Sequence, residues 1–189
     1  MCHLEVAAQE HCRRIREARK LFFDGGRASA DLLDTTVLRS WKRCRDWGLD
    51  PQLARIEVDM ARTAVLNEQL ERNRNLLACS RAVMEHVFEH IRDSDSMVLL
   101  ADVNGMLLHA VGDAEFMGRA VRVALQPGAS WEEQLRGTNA IGTALIEERP
   151  VEVYGAEHFL EHNSILTCSA APLLDAQGRL LGVLDISGD

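Results

Sequence analysis

The stretch LTCSAAPLLDAQGRLLGVLDISG, residues 166–188, is the clearest indication of the fold. Two apolar runs, at residues 167–174 and 179–187, flank Asp175-Ala176-Gln177-Gly178, and the Asp and Gly of this segment are typical of a tight turn. The runs are apolar at neighbouring as well as alternate positions, so both faces of each strand need cover. The stretch therefore predicts an antiparallel hairpin inside a sheet that has helices above and below it.

The same pattern, two apolar runs that flank a turn, occurs earlier in the chain. Apolar runs at residues 97–101 and 106–111 flank Asn104-Gly105, a strong hairpin signal, and residues 151–154 predict a short further strand. We therefore predict the α+β class: a central antiparallel sheet covered by helices on both faces, with an N-terminal helical region. The predicted division is a helical region at 1–58 and a domain at 59–189, which holds a long helix at 59–92 and a sheet core at 96–187.

The N-terminal third is helical in pattern. Apolar residues with helical spacing occupy residues 4–22, a second helix is expected at residues 35–47 with Gly48 as its left-handed end, and the third is the helix at 59–92. On this third helix Leu70, Leu77, Met84 and Ile91 are seven residues apart. This spacing fits a helix packed on its own domain, a two-chain helical seam, or both. A homodimer through the N-terminal and 59–92 helices is the expected assembly.

Composition and charge exclude several classes of protein. The 189 residues carry 21 basic and 29 acidic side chains, a net charge of −8. Residues 93–189 hold 5 basic and 15 acidic side chains, which argues against direct nucleic-acid binding by this half. No apolar stretch approaches the length of a membrane span. Five cysteines without a C-x-x-C pair indicate reduced thiols and a cytoplasmic protein.

Signals for catalysis or a cofactor are weak. Gly137-x4-Gly142-Thr143 begins like a phosphate-binding loop, but Thr143 stands where that loop needs a lysine. No G-x-S-x-G or Ser-x-x-Lys pattern is present, so we expect no enzyme, no catalytic residue and no cofactor.

Two histidine pairs and one cysteine leave another hypothesis open. His86 with His90, and His158 with His162, are four residues apart, but neither pair has a third ligand at a matching spacing, so no metal site is expected. Cys168 lies in an apolar strand, where a thiol is usually a small core residue. A thiol or metal redox sensor stays as an alternative.

Several motifs together resemble one family. They lie in order along the chain at residues 40–44 with 48–51, 131–145, 157–159, 166–172 and 182–188. The set, which includes Ser-Trp-x-Arg-Cys and Gly-Thr-Asn-Ala-Ile-Gly-Thr-Ala-Leu, is similar to the sensory N-terminal region of the acetoin-catabolism regulators. These are sigma-N-dependent enhancer-binding transcription activators of bacteria.

The resemblance implies a GAF-type sensor with an effector pocket between one sheet face and the loops beyond it. It also implies an AAA+ ATPase module and a DNA-binding module in the intact protein, and a small effector such as acetoin or a related diol, alcohol or ketone. A dimerisation and repression module without a ligand is the other alternative.

We expect this pocket to be lined by the 131–143 segment, residues 157–159 and the strand at 166–171. Trp131 and Phe159 would supply apolar walls, and hydrogen bonds would come from polar residues of the same segments. The candidate ligand-binding residues are Trp131, Thr138, Asn139, Thr143, His158, Phe159, Thr167 and Cys168. A purely structural interpretation stays open, in which Thr138 and Asn139 only cap a helix and Glu157-His158 only holds the loop in place.

Overall fold

The computed structural model describes residues 3–25, 31–53 and 63–189. Its α-helices are α1 (His3–Gly25), α2 (Thr35–Asp46), α3 (Thr63–Arg72), α4 (Arg74–Ile91), α5 (Ala114–Ala120), α6 (Glu133–Arg136) and α7 (Ala140–Glu147). Its strands are β1 (Ser96–Asp102), β2 (Leu107–Gly112), β3 (Val151–Tyr154), β4 (Thr167–Leu174) and β5 (Leu180–Gly188). Short 3-10 turns at Val121–Val123, Gly155–Glu157 and Glu161–Asn163 complete the described elements.

The strands form one antiparallel sheet in the order β2-β1-β5-β4-β3. Both predicted hairpins are confirmed as β1–β2 and β4–β5, and β5 pairs with β1 and β4 at the centre of the sheet. Gly105 and Gly178 adopt φ near +78°, the left-handed conformation that the turns require. The register pairs Cys168 with Ser187 and Ala170 with Asp185, so these four side chains share one face.

Helices cover both faces of this sheet, as the α+β prediction requires. One face carries Val98 and Leu100 of β1 and packs against Leu77 and Met84 of α4. The other face carries Leu99 and packs against a cluster to which α5, α7 and the loop between them contribute. We call this second layer the inner layer. It is rich in small side chains: Ala101, Ala120, Ala124, Ala129, Ala140, Ala144, Cys168 and Ala170.

The first two helices form a third cluster. Phe22 of α1 and Trp41 of α2 are buried together, with ring centroids 5.2 Å apart. Phe159 and Leu160, from the segment between β3 and β4, complete the cluster. The N-terminal helices are therefore packed directly against the loop that follows β3.

The helix predicted at 59–92 is interrupted at one residue, Asn73, whose backbone N–H still donates to the Gln69 carbonyl oxygen at 3.0 Å. Its first residues lie outside the described part, and the remainder is divided at Asn73 into α3 and α4. Asn73 has φ −100° and ψ 15°, and its side-chain amide donates to the Gln69 carbonyl oxygen at 2.9 Å. A short amide side chain that bonds to the backbone competes with helix continuation, which explains the break.

The residues with seven-residue spacing serve the fold of this chain. Leu77 and Met84 are buried against the sheet, and Leu70 and Ile91 pack against the same cluster. None of the helices in the described part of the chain has both the length and the hydrophobicity of a membrane span.

Candidate functional site

The helix α7 approaches the preceding segment through its glycine. A Cβ atom at Gly142 would lie 2.5 Å from the backbone nitrogen of Glu133 and 2.6 Å from the carbonyl oxygen of Trp131. The close approach of this second backbone segment is the reason for a glycine inside the helix.

Asn139 is the N-cap of α7. Its Oδ1 accepts from the Gly142 backbone N–H at 2.8 Å, and its Nδ2 donates to the carbonyl oxygens of Gly137 at 2.8 Å and Trp131 at 3.1 Å. These bonds satisfy both side-chain atoms. The structure therefore supports the capping interpretation for Asn139.

Thr138 and Thr143 face α2 and the start of α6. The Thr143 hydroxyl donates to Glu133 Oε2 at 2.6 Å, and the Thr138 hydroxyl lies 2.6 Å from the hydroxyl of Ser40. Arg43 donates from Nε to Glu133 Oε1 at 2.8 Å. These contacts attach α7 and α6 to α2. Glu133 is fully buried, and Arg43 supplies the positive charge that compensates its carboxylate.

The two expected aromatic walls belong to different clusters. Trp131 lies in the inner layer, where its indole N–H donates to the Ala124 carbonyl oxygen at 3.0 Å. Phe159 lies with Phe22 and Trp41 in the N-terminal cluster. Gly137 lies against Phe159, since a Cβ atom there would be 2.6 Å from the Phe159 Cβ atom. The structure therefore does not bring Trp131 and Phe159 to one surface.

His158 and Cys168 are brought together, and they begin a buried line of polar side chains. His158 Nε2 lies 3.6 Å from Cys168 Sγ, Cys168 Sγ lies 3.1 Å from Ser187 Oγ, and Ser187 Oγ lies 2.6 Å from Asp185 Oδ2. We call these four residues the polar line. All four are buried, and Cys168 belongs to the apolar inner layer. Asp185 Oδ1 is buried without a hydrogen-bond partner among the described residues.

Hydrogen-bond donors along the polar line point one way. His158 Nδ1 lies 3.0 Å from the Gly155 carbonyl oxygen, so Nδ1 carries the proton and Nε2 of the neutral ring accepts. The Cys168 thiol then donates to His158. The Ser187 hydroxyl is in donor geometry toward both Cys168 Sγ and Asp185 Oδ2 but has a single proton, so both contacts are hydrogen bonds only when a protonated Asp185 donates from Oδ2 to Ser187. Each member donates once, and the line is complete only when Asp185 is a neutral acid.

Burial disfavours the charged form of each titratable side chain in the polar line. It raises the pKa of Asp185 to about 7, against the lowering effect of the Ser187 hydrogen bond. It lowers the pKa of His158 to about 4. Burial, with the nearby Asp185 carboxyl, also raises the pKa of the Cys168 thiol well above its usual value. Burial therefore favours the uncharged form of each titratable member of the polar line.

These environments bear on the redox and metal alternative. A thiol that is buried with a raised pKa reacts slowly, because the thiolate is the nucleophile. Among the described residues no group of three or more His, Cys, Asp or Glu side chains could hold a metal ion.

Thr167 lies apart from the polar line. It is half-buried and lines a surface cleft of about 240 Å³ that includes Cys12, Tyr154 and Ile165. Its side chain therefore faces the groove between α1 and the sheet edge.

The loop that carries His158 is held by both N-terminal helices. Arg19 of α1 donates to the carbonyl oxygens of His158 at 2.7 Å and Phe159 at 2.8 Å. The indole N–H of Trp41 in α2 donates to the Glu157 carbonyl oxygen at 2.6 Å. A displacement of these loop carbonyls therefore requires either a shift of α1 and α2 or the loss of these hydrogen bonds.

Sequence reasoning missed half of the polar line and all of this attachment. Asp185 and Ser187 are polar residues at alternate positions of a predicted buried strand, and that pattern was an available signal. Nothing local in the sequence marks Arg19 or Trp41 as a partner of loop carbonyls, because each lies more than 110 residues away in the chain.

Comparison with known proteins agrees with this fold. The family model for the N-terminal domain of MimR matches residues 12–189. The acetoin dehydrogenase operon transcriptional activator AcoR of Bacillus subtilis is 33% identical over 168 residues, which are 89% of this chain and 28% of that protein. The propane 2-monooxygenase operon transcriptional activator MimR of Mycolicibacterium smegmatis is 30% identical over 174 residues, 91% of this chain and 28% of that protein. The chain thus spans little more than a quarter of these relatives.

A solved structure has the same architecture. In the crystal structure of the Escherichia coli DhaR(N)–DhaL complex, one chain superposes with a TM-score of 0.76 at 21% identity, over 81% of this chain and 51% of that chain. This likeness confirms the predicted GAF-like fold, and the relatives confirm the resemblance to acetoin-catabolism regulators. Because the family model covers nearly all of the sequence, the chain belongs to the family of MimR N-terminal domains.

Proposed function

We propose that this chain is a metabolite-sensing regulatory domain of a transcription activator, and that its effector is a small, uncharged, polar molecule bound in the inner layer. The polar line is the observation that carries this proposal. Four linked polar side chains inside an apolar layer cost desolvation energy without adding to the core, and a few oriented polar groups among apolar ones are typical of a small-molecule site.

The contacts of the loop at 155–159 supply a route for the signal. A ligand beside His158 would shift this loop, and Arg19 and Trp41 would carry the shift to α1 and α2. Such a ligand changes the conformational equilibrium only by the difference in its affinity for the two states. The expected response is therefore a change in the packing of the N-terminal helices.

The intact protein, in this proposal, uses that change to control an AAA+ ATPase module that acts with sigma-N and a DNA-binding module. The relatives are named as transcriptional activators, and this chain matches little more than a quarter of their length. This chain itself would make no direct contact with nucleic acid and would perform no catalysis. The whole protein would act in the cytoplasm.

Calorimetry and thermal unfolding of this chain test the proposal with acetoin, butane-2,3-diol, and C3 to C6 alcohols and aldehydes. A ligand at one hundred times its Kd stabilises the folded state by about 2.7 kcal/mol, which is a rise in Tm of roughly 5–10 °C for a chain of this size. Sorbitol at the same concentration controls for a general solvent effect. No heat and no Tm shift with any of the panel would count against a sensing function.

A homodimer is our second proposal, and exposed valines of α3 and α4 support it. Val65 is 42% and Val83 is 51% exposed on helices whose other faces pack on the sheet. Because Leu77 is buried within its own chain, a charge there would unfold the domain, so Val83→Glu is the informative change. Val121→Glu, at a residue that is 49% exposed beside α5, is the matched control.

Light scattering at increasing concentration gives the answer. We expect a dimer for the wild type and for Val121→Glu, and a monomer for Val83→Glu. A wild type that is monomeric throughout, or a Val83→Glu variant that stays dimeric, excludes this seam.

A further inference from the structure

We infer that Asp185 Oδ1 is the acceptor for a hydroxyl group of the effector, so that the site selects small neutral hydroxyl compounds over carboxylates and over carbonyl compounds without a hydroxyl. This inference rests on the proposed function and assigns the chemistry of its site.

The first step is that Asp185 Oδ1 is the open end of the polar line. Its own Oδ2 is used by Ser187 at 2.6 Å, and every other member has a partner on each side. A buried carboxyl oxygen without a partner is unfavourable, so a donor that reaches it gains affinity on binding.

The second step concerns the charge of the donor. The polar line is complete with Asp185 as a neutral acid, and burial raises its pKa, so Oδ1 is a carbonyl-type acceptor in an uncharged site. A hydroxyl donor satisfies this oxygen without bringing a charge into the layer. An ammonium group would lose its hydration for one neutral acceptor, and a carboxylate offers no donor at all.

The third step concerns size. On the same face as Asp185, its cross-strand neighbours are Leu99 on β1 and Ala170 on β4. The helix α7, which packs on β4 and β5, contributes Ala140 and Ala144 to the inner layer. A molecule of a few carbon atoms matches such small side chains, whereas a sugar or nucleotide would require the helix to leave the sheet.

The test is a matched ligand series on this chain: butane-2,3-diol, acetoin, butane-2,3-dione and lactate, measured by calorimetry at pH 6, below the pKa of Asp185. The first two offer hydroxyl donors on the same carbon skeleton, the dione offers only acceptors, and lactate adds a negative charge. We expect the diol and acetoin to bind at least tenfold more tightly than the dione and lactate. Equal binding of the dione, or tighter binding of lactate or of 3-amino-2-butanol, would overturn the inference.

Two substitutions at Asp185 locate the effect. Asp185→Leu removes the acceptor and should weaken acetoin binding about tenfold, to the level of the dione. Asp185→Asn retains an acceptor oxygen, and its amide donates to Ser187 as the neutral acid does, so its acetoin affinity should stay within about threefold of the wild type. Circular dichroism and the urea midpoint establish that both variants fold.

The outcomes separate the inference from the proposed function. If acetoin binds the wild type and Asp185→Leu equally, the effector lies elsewhere, the sensing function stands and this inference fails. Equal loss in both variants would exclude the neutral-acid arrangement and with it the inference. If no compound of the panel binds the wild type, the proposed function itself fails, and a water molecule is then the natural occupant beside Oδ1.

Discussion

Gly142→Ala should destabilise the fold, although alanine is the better helix former. Gly142 lies inside α7, and the added Cβ atom would meet the Glu133 backbone nitrogen at 2.5 Å and the Trp131 carbonyl oxygen at 2.6 Å. Both contacts are with backbone atoms, which cannot rotate away as a side chain can. The helix must therefore move away from the 131–133 segment.

The magnitude follows from three opposing effects. Alanine in a helix interior gains about 1 kcal/mol over glycine. The forced displacement costs about 1–3 kcal/mol as overpacking, and it weakens the cap bond from the Gly142 N–H to Asn139 Oδ1, now 2.8 Å, by about 1 kcal/mol. The net loss is about 2 kcal/mol, or roughly 4–8 °C in Tm for a chain of this size.

Gly118→Ala is the matched control, because Gly118 lies in α5 with nothing within 4 Å of an added Cβ atom. It should be neutral or stabilise by up to about 1 kcal/mol. Urea unfolding, followed by tryptophan fluorescence and circular dichroism, measures both variants. A Gly142→Ala variant as stable as the wild type would show that the backbone of the 131–133 segment does not restrict this position.

Three further experiments test the buried charge pair, the protonation of Asp185 and the burial of Cys168. Arg43→Ala leaves the buried Glu133 carboxylate without its cation and should cost about 3 kcal/mol in urea unfolding; a loss below about 1 kcal/mol would contradict the pairing. The raised pKa of Asp185 stabilises the fold below about pH 4, and this contribution is lost as pH rises to about 7, so the stability of Asp185→Asn relative to the wild type should increase over that range by up to about 1.4 kcal/mol per pH unit. A pH-independent difference would exclude the neutral acid. Thiol titration of the folded chain should modify the exposed Cys79 rapidly and Cys168 only on unfolding, and equal rates would be inconsistent with the burial of Cys168.

The sheet could be predicted because its signals are local. Apolar runs around Asp175–Gly178 and Asn104-Gly105 specify both the strands and the turns that join them, and the observed strands agree closely. The break at Asn73 could not be predicted from periodicity, since the apolar spacing continues through it. There the side-chain amide, bonded to the Gln69 carbonyl, decides the local geometry.

The site could be predicted only in part, because it depends on cross-strand register. His158 and Cys168 were among the candidates and are in contact, but Ser187 enters only through its pairing opposite Cys168. Asp185 and Ser187 also interrupt an apolar run that is otherwise sufficient to predict a strand. A polar residue at every second position of such a strand predicts a polar group aimed into one layer, and this pattern is the general signal for such a site.

The contacts also explain why the motifs of this family occur together. Ser40, Trp41 and Arg43 belong to one motif, and their partners are Thr138, the Glu157 carbonyl and Glu133, which belong to the next two motifs. These three motifs are thus a single contact unit that joins the N-terminal helices to α7 and the loop, and their residue types are required by that junction whatever the effector is. The ligand chemistry should instead vary at the ends of β4 and β5, where the polar line leaves one acceptor open. Relatives with different effectors should therefore share the junction residues and differ in the side chains that surround the position of Asp185.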